Sequence, residues 1–209
     1  MAVVRFVTTL TGVRDLELLL DALCQTARPL ILQRWNADSC IASTRVAVEV
    51  LRRLDVPAHP LTVAVQIFNA EAVERMRAGK EPVTAHGTAQ SSGGPWSIGL
   101  GMGGDQRADR WPGHLVCVAG RSSNRFVLDL SLDQASRPHK QLDLRPLAFR
   151  CPADWPASEQ LLPVQLPAGA IAAYEPRPTD RSYLTSPDWT ALGRHRQVIS
   201  RVEQQLRRR

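Results

Sequence analysis

The sequence predicts an α+β protein in which a helix packs on an antiparallel β-sheet. Three stretches carry that expectation. From Cys40, the residues Thr44, Ala47, Val48, Leu51 and Leu54 recur on one helical face. From His59 to Phe68, Leu61, Val63, Val65 and Ile67 alternate as in a strand. Around Gly120 to Asn124, which has turn composition, two apolar runs form a hairpin that His114 opens and Asp129 closes.

Taken in order, residues 3–8 alternate weakly and form a candidate strand. Asp15 begins a helix with Leu16, Leu19, Leu20 and Leu23 on one stripe, and Arg28-Pro29 is expected to interrupt it. Asn36, Asp38 or Ser39 can cap the Cys40 helix, which stops at Asp55 to Pro57. Asn69 caps a short helix that Gly79 ends. Residues 86–113 hold eight of the thirteen glycines, around Trp96. This stretch lacks a phosphate-loop pattern and reads as a substrate-facing loop or a strand with close backbone approach. Further short strands are expected within 141–149 and 161–174, then a Pro-rich linker over 175–180. Ser186-Pro187-Asp188 starts a terminal helix whose stripe is Trp189, Leu192, Val198, Val202 and Leu206.

Cys40 lies where its helix's buried stripe meets the N-terminus. Unsatisfied N–H groups and the positive end of the helix dipole stabilise a thiolate at such a place. A lone cysteine there also reads as a small core hydrophobe. The hairpin gives Cys40 two companions, because an antiparallel pair brings His114 and Asp129 within side-chain reach. A thiol, a base and an acid that orients the base make a nucleophilic set. Asp133 is a second candidate for the orienting acid should the hairpin register differ by a few residues.

The Cys40 helix, the run Leu51-Arg-Arg-Leu-Asp-Val-Pro-Ala58 at its end, the following strand and the fifteen-residue separation of His114 and Asp129 resemble the transglutaminase-like branch of the papain-fold cysteine enzymes. The resemblance covers 36–133. It implies a papain-like core and thiol-dependent acyl transfer, or amide or peptide hydrolysis, through a Cys40, His114, Asp129 triad and an acyl-enzyme. The substrates implied are amide- or ester-containing small molecules or peptide and protein side chains, with no cofactor. Oxyanion-hole groups in papain-fold enzymes come from the segment approaching the cysteine, so Gln33, Trp35 and Asn36 are candidates. Trp96 and Trp111, which flank the glycines before His114, are candidates for substrate binding. Arylamine N-acetyltransferases share the triad order as nearest relatives, and only on that alternative is acetyl-CoA required. The contrasting class is a non-catalytic binding protein on the same fold.

The chain's 209 residues, 44% hydrophobic, suffice for one substantial core. The expected organisation is a domain over 1–176 and, over 177–209, a linker and a basic amphipathic helix docked on it. Of the net charge of +6, the eight arginines from Arg177 onward against Asp180, Asp188 and Glu203 supply +5. A nucleic-acid face on the nearly neutral body is therefore unsupported, and only the tail offers one. The four cysteines show no paired spacing, hence neither a zinc site nor a disulfide framework. No apolar run approaches membrane-spanning length, which leads to the expectation of a soluble, cytoplasmic protein with no membrane partner.

Overall fold

The computed structural model describes residues 13–80, 94–102 and 111–209. The strand expected over 3–8, and residues 86–93 and 103–110 of the glycine-rich stretch, lie outside them. Helices α1 (Val13–Leu32) and α2 (Cys40–Arg53) come first, followed by β1 (Ala58–Phe68) and α3 (Ala70–Arg77). Strands β2 (Ser97–Leu100), β3 (His114–Arg121), β4 (Asn124–Asp129), β5 (Leu147–Arg150), β6 (Leu162–Gln165) and β7 (Ile171–Pro176) follow. Helices α4 (Pro187–Thr190) and α5 (Leu192–Leu206) close the chain.

The strands form one antiparallel sheet in the order β5-β4-β3-β1-β7-β6, curled into a nearly closed barrel. Its axis is β1, eleven residues long and buried along most of its length. One edge of β1 pairs first with β3, Val63 opposite His114, and then with β2, Val65 opposite Leu100. The other edge pairs with β7, Val65 opposite Tyr174. Because side chains alternate along a strand, two cores result. Val63, Val65, Val116, Val118, Val127 and Tyr174 fill the inside of the curl. Cys117, Ala119, Phe126 and Leu128 face outward against α1, α2 and α5.

The helix signals explain how each element stops. The end of α2 is a Schellman closure: Asp55 N–H donates to Arg52 O (3.1 Å) and Val56 N–H to Leu51 O (2.9 Å), with Asp55 left-handed at φ 59°. Asn69 caps α3 by accepting from Ala72 N–H, and Gly79 follows that helix at φ 70°. The two-residue hairpin connection lies where its composition put it, with Arg121 opposite Asn124.

Three expectations need correction. Helix α1 runs through Pro29 to Leu32. The proline removes one backbone donor, but burial of Leu30 and Ile31 and the anchored Arg28 carry the helix past it. The 175–180 linker begins later than its prolines suggest, since β7 includes Pro176 and Arg177 N–H still donates to Thr62 O at 2.8 Å. The terminal helix is broken at Ala191, so Trp189 leaves the stripe it was assigned to. Ser186 does cap α4, accepting from Asp188 N–H.

Helix α5 packs on α1 and α2 through Val198, Ile199, Val202 and Leu206 and holds Arg53 through Glu203 at 3.1 Å. Arginines 194, 196 and 201 of α5, and 207, 208 and 209 after it, stay exposed. Ile199→Ala, at a fully buried position, is expected to cost about 2–5 kcal/mol in urea unfolding, whereas Arg201→Ala should change stability by less than about 0.5 kcal/mol. Equal midpoints for the two variants would mean that α5 does not hold the fold.

Candidate active site

The first residue of β3 and the last of β4 point the same way. The Cys117–Leu128 pair sets the register, so Asp129 faces Val116, one diagonal step from His114, with both side chains inside the curl. His114 Nε2 donates to Asp129 Oδ2 at 2.8 Å. Asp129 is fully buried, and every neighbour it contacts supports the charged form. Tyr174 OH donates to Oδ2 at 3.1 Å, and Ser131 donates to Oδ1 from its N–H at 3.0 Å and its hydroxyl at 3.4 Å. A buried carboxylate is costly unless so surrounded. Burial would raise its pKa, but His114, Ser131 and Tyr174 hold it below the usual carboxylate value.

The sheet's end is also where α2 begins. Thr44 Oγ1 donates to Leu115 O at 2.8 Å, which fastens the first turns of α2 to β3 beside His114. Cys40, the first residue of α2, lies close enough to the His114 ring to favour its charged form. With Nε2 engaged by Asp129, Nδ1 is the ring's remaining nitrogen. Gln134 Nε2 lies 2.9 Å from that same nitrogen. Burial opposes a charged ring, but Asp129 and Cys40 push the His114 pKa up to about 10. Burial drives the Cys117 thiol up to about 12 and the Cys151 thiol to about 11, and raises Cys24 too.

No family model, curated protein or solved structure matches the chain.

Of the remaining candidates, Trp111 alone stands beside Cys40. It packs with Ile41, Leu115, Tyr183 and Trp189 around the thiol, its Nε1 donating to Ser182 Oγ at 2.7 Å. Gln33 is exposed and lines a groove with Gln197 and Arg201. Trp35 stacks on His195 of α5, ring centroids 5.0 Å apart. Asn36 is exposed in the loop before α2, and Trp96 is buried in the inner core. Asp133 does not take the orienting place. It pairs with Arg28, whose Nη2 is 2.6 Å from Oδ1 and whose Nε donates to Oδ2 at 2.9 Å. Ser39 precedes α2, but its hydroxyl accepts from Arg28 instead of capping the helix.

Sequence reasoning missed Arg28, Ser131, Gln134, Tyr174, Tyr183 and the position of Gly101. Gly101 is the close-approach glycine of its stretch: at φ 66°, a Cβ there would lie 2.5 Å from His114 N and 2.7 Å from Val63 O. The signal for Arg28 was a charge inside an otherwise apolar helix, and for Tyr174 a phenol within an alternating strand. Among the described residues no His, Cys, Asp or Glu group suits a metal ion, and no helix is long and apolar enough to cross a membrane.

Arg28→Met keeps the stem and removes the cation, stranding Asp133, Ser39 and Ser43. It should cost about 3–5 kcal/mol in denaturant unfolding, and a loss under about 1 kcal/mol would show that the ion pair does not organise this corner. A second expectation concerns pH. His114 is raised from 6.5 to about 10, so its share of stability is complete below pH 6.5 and lost as pH climbs through about 10. Asp129 is lowered from 3.8, so its share is present above that pH and lost as pH falls through its folded value. The stability gap between the native chain and Asp129→Asn should therefore be widest between pH 3.8 and 6.5. Thermal melts showing a gap that is flat to pH 10 would contradict the ion pair.

Proposed function

We propose that the chain is a thiol enzyme for acyl transfer or amide hydrolysis. Cys40 Sγ attacks the carbonyl carbon of an amide or ester, His114 takes the thiol proton and gives it to the leaving group, and water or another acceptor resolves the acyl-enzyme. The single observation behind this reading is the placing of the buried Cys40 thiol beside a His114 ring whose Nε2 is hydrogen-bonded to the Asp129 carboxylate. It supplies a nucleophile, a base held in one orientation and a fixed charge for the imidazolium, the form that accompanies a thiolate.

Two further features support it. The order Cys, His, Asp along the chain, with the thiol helix on a curled antiparallel sheet, is the arrangement expected of transglutaminase-like papain-fold enzymes, which we propose as the family. The wall beside the thiol, Ile41, Leu115, Trp111, Tyr183 and Trp189, is mostly apolar and suits a small acyl group or an uncharged peptide side chain. All four cysteines are free, the state a reducing cytoplasm maintains, and the proposed site of action is there.

Iodoacetamide should alkylate Cys40 near neutral pH at least tenfold faster than a free model thiol. His114→Ala should abolish that advantage. Asp129→Asn should alkylate and fold but lower acyl transfer by roughly 10⁴-fold, because the ring then sits in the wrong tautomer. Alkylation no faster than the model thiol and indifferent to His114 would refute the enzyme reading.

A further inference from the structure

An acyl-transfer site needs hydrogen-bond donors where the carbonyl oxygen gains charge. The approach-segment side chains expected to supply them stand elsewhere: Gln33 lies on the α5 groove and Trp35 stacks on His195. Asn36 is exposed in the loop before α2. One side-chain amide does stand at the ring of His114. Gln134 Nε2 is 2.9 Å from His114 Nδ1, the ring nitrogen that Asp129 leaves open.

We propose that Gln134 is the side-chain oxyanion donor of this site, its amide N–H binding the substrate carbonyl oxygen as Cys40 attacks. The proposal rests on the acyl-transfer reading above. In that step the Sγ–C bond forms while the carbonyl π pair moves to oxygen, and the thiol proton resides on Nδ1. A protonated Nδ1, the form the raised pKa of His114 favours, can only donate and so does not hold the Gln134 N–H. The amide N–H is thus left for the oxygen that becomes negative. On collapse the pair returns, the bond to the leaving amine or alcohol breaks, and that group takes the proton from His114.

The surroundings hold Gln134 ready for this task. It sits in the 3-10 turn Leu132–Ala135, where its N–H donates to Ser131 O at 3.1 Å and its C=O accepts from Arg137 at 3.1 Å. The adjacent Asp133 is clamped by Arg28, which also donates to Ser39 and Ser43 at the start of α2. The first helical backbone bond there runs from Ser43 N–H to Ser39 O, so the N–H groups of Cys40, Ile41 and Ala42 precede the helical ladder. One guanidinium therefore fixes the turn carrying Gln134 relative to the nucleophile's own backbone.

Two reactions of Cys40 separate donor from scaffold. Acylation by p-nitrophenyl acetate passes through an oxyanion, whereas alkylation by iodoacetamide does not. Gln134→Leu should lower the acylation rate about 10²–10³-fold while leaving the alkylation rate and its pH profile unchanged. Gln134→Met, which also lacks the N–H, should behave the same and serves if the leucine variant misfolds. Equal falls in both reactions would reduce Gln134 to a support for His114 and overturn the proposal, as would acylation at the native rate. A native chain that alkylates quickly yet never acylates would instead bring down the acyl-transfer reading, and the role of Gln134 with it.

Discussion

The site depends first on Arg28. Its guanidinium is almost entirely buried, with side-chain exposure of 4%, and each of its nitrogens is used. It meets both oxygens of Asp133, the hydroxyls of Ser39 and Ser43 and the carbonyl of Ala37. A rigid planar fork can satisfy so many partners where a lysine ammonium cannot. The result is that α1, the loop before α2, the first turn of α2 and the turn after β4 meet at one point. These elements are remote in sequence, and hydrophobic packing alone, being non-directional, would let them slide. The carbonyl chemistry proposed for this site would tolerate little sliding.

Asp129 is the second constraint, and it acts inside the sheet. Closing the curl puts Tyr174, from β7, within 3.1 Å of a carboxylate at the end of β4. An acid buried among valines could remain charged only with such partners. The same closure leaves almost no room at the start of β3. Gly101 ends the β2 segment against the backbone of His114 and Val63, where no side chain fits, while Arg177 donates to its carbonyl at 3.3 Å. The imidazole is thus fixed by a carboxylate through its ring and by a glycine through its backbone.

How much of this was legible follows from the range of each signal. Periodicity is local, so α2, β1 and the β3–β4 hairpin were readable, and with them the meeting of His114 and Asp129. The choice between Asp129 and Asp133 was not readable, because it turns on Arg28, which lies 105 residues from its partner. Composition marked Arg28-Pro29 as a break when the arginine was the strongest tether in the helix. Papain-fold resemblance directed attention upstream of Cys40 for polar groups. The amide at the ring comes instead from downstream of Asp129, where Gln134 was one polar residue among several in a turn. Tyr174 could be seen as a strand residue but not as a hydrogen-bond donor, since its reach crosses the interior of the curl.

The terminal segment does more than dock on the body of the protein. Its helix α5 buries one face against α1 and α2, as an amphipathic stripe should. The break at Ala191 sends Trp189 the other way, edge-on to Tyr183 at 4.8 Å and under the Arg45 guanidinium, also at 4.8 Å. Tyr183 in turn packs with Cys40 and meets Trp111 edge-on at 6.3 Å. Residues from both the body and the terminal segment therefore wall the thiol. A break in a helix is energetically unfavourable unless its two halves are wanted in different places, and here one half supports the core while the other helps enclose the Cys40 thiol. Changes in the 180–190 segment should consequently reach the surroundings of Cys40 directly, through Tyr183 and Trp189, while changes on the exposed arginine face of α5 should not.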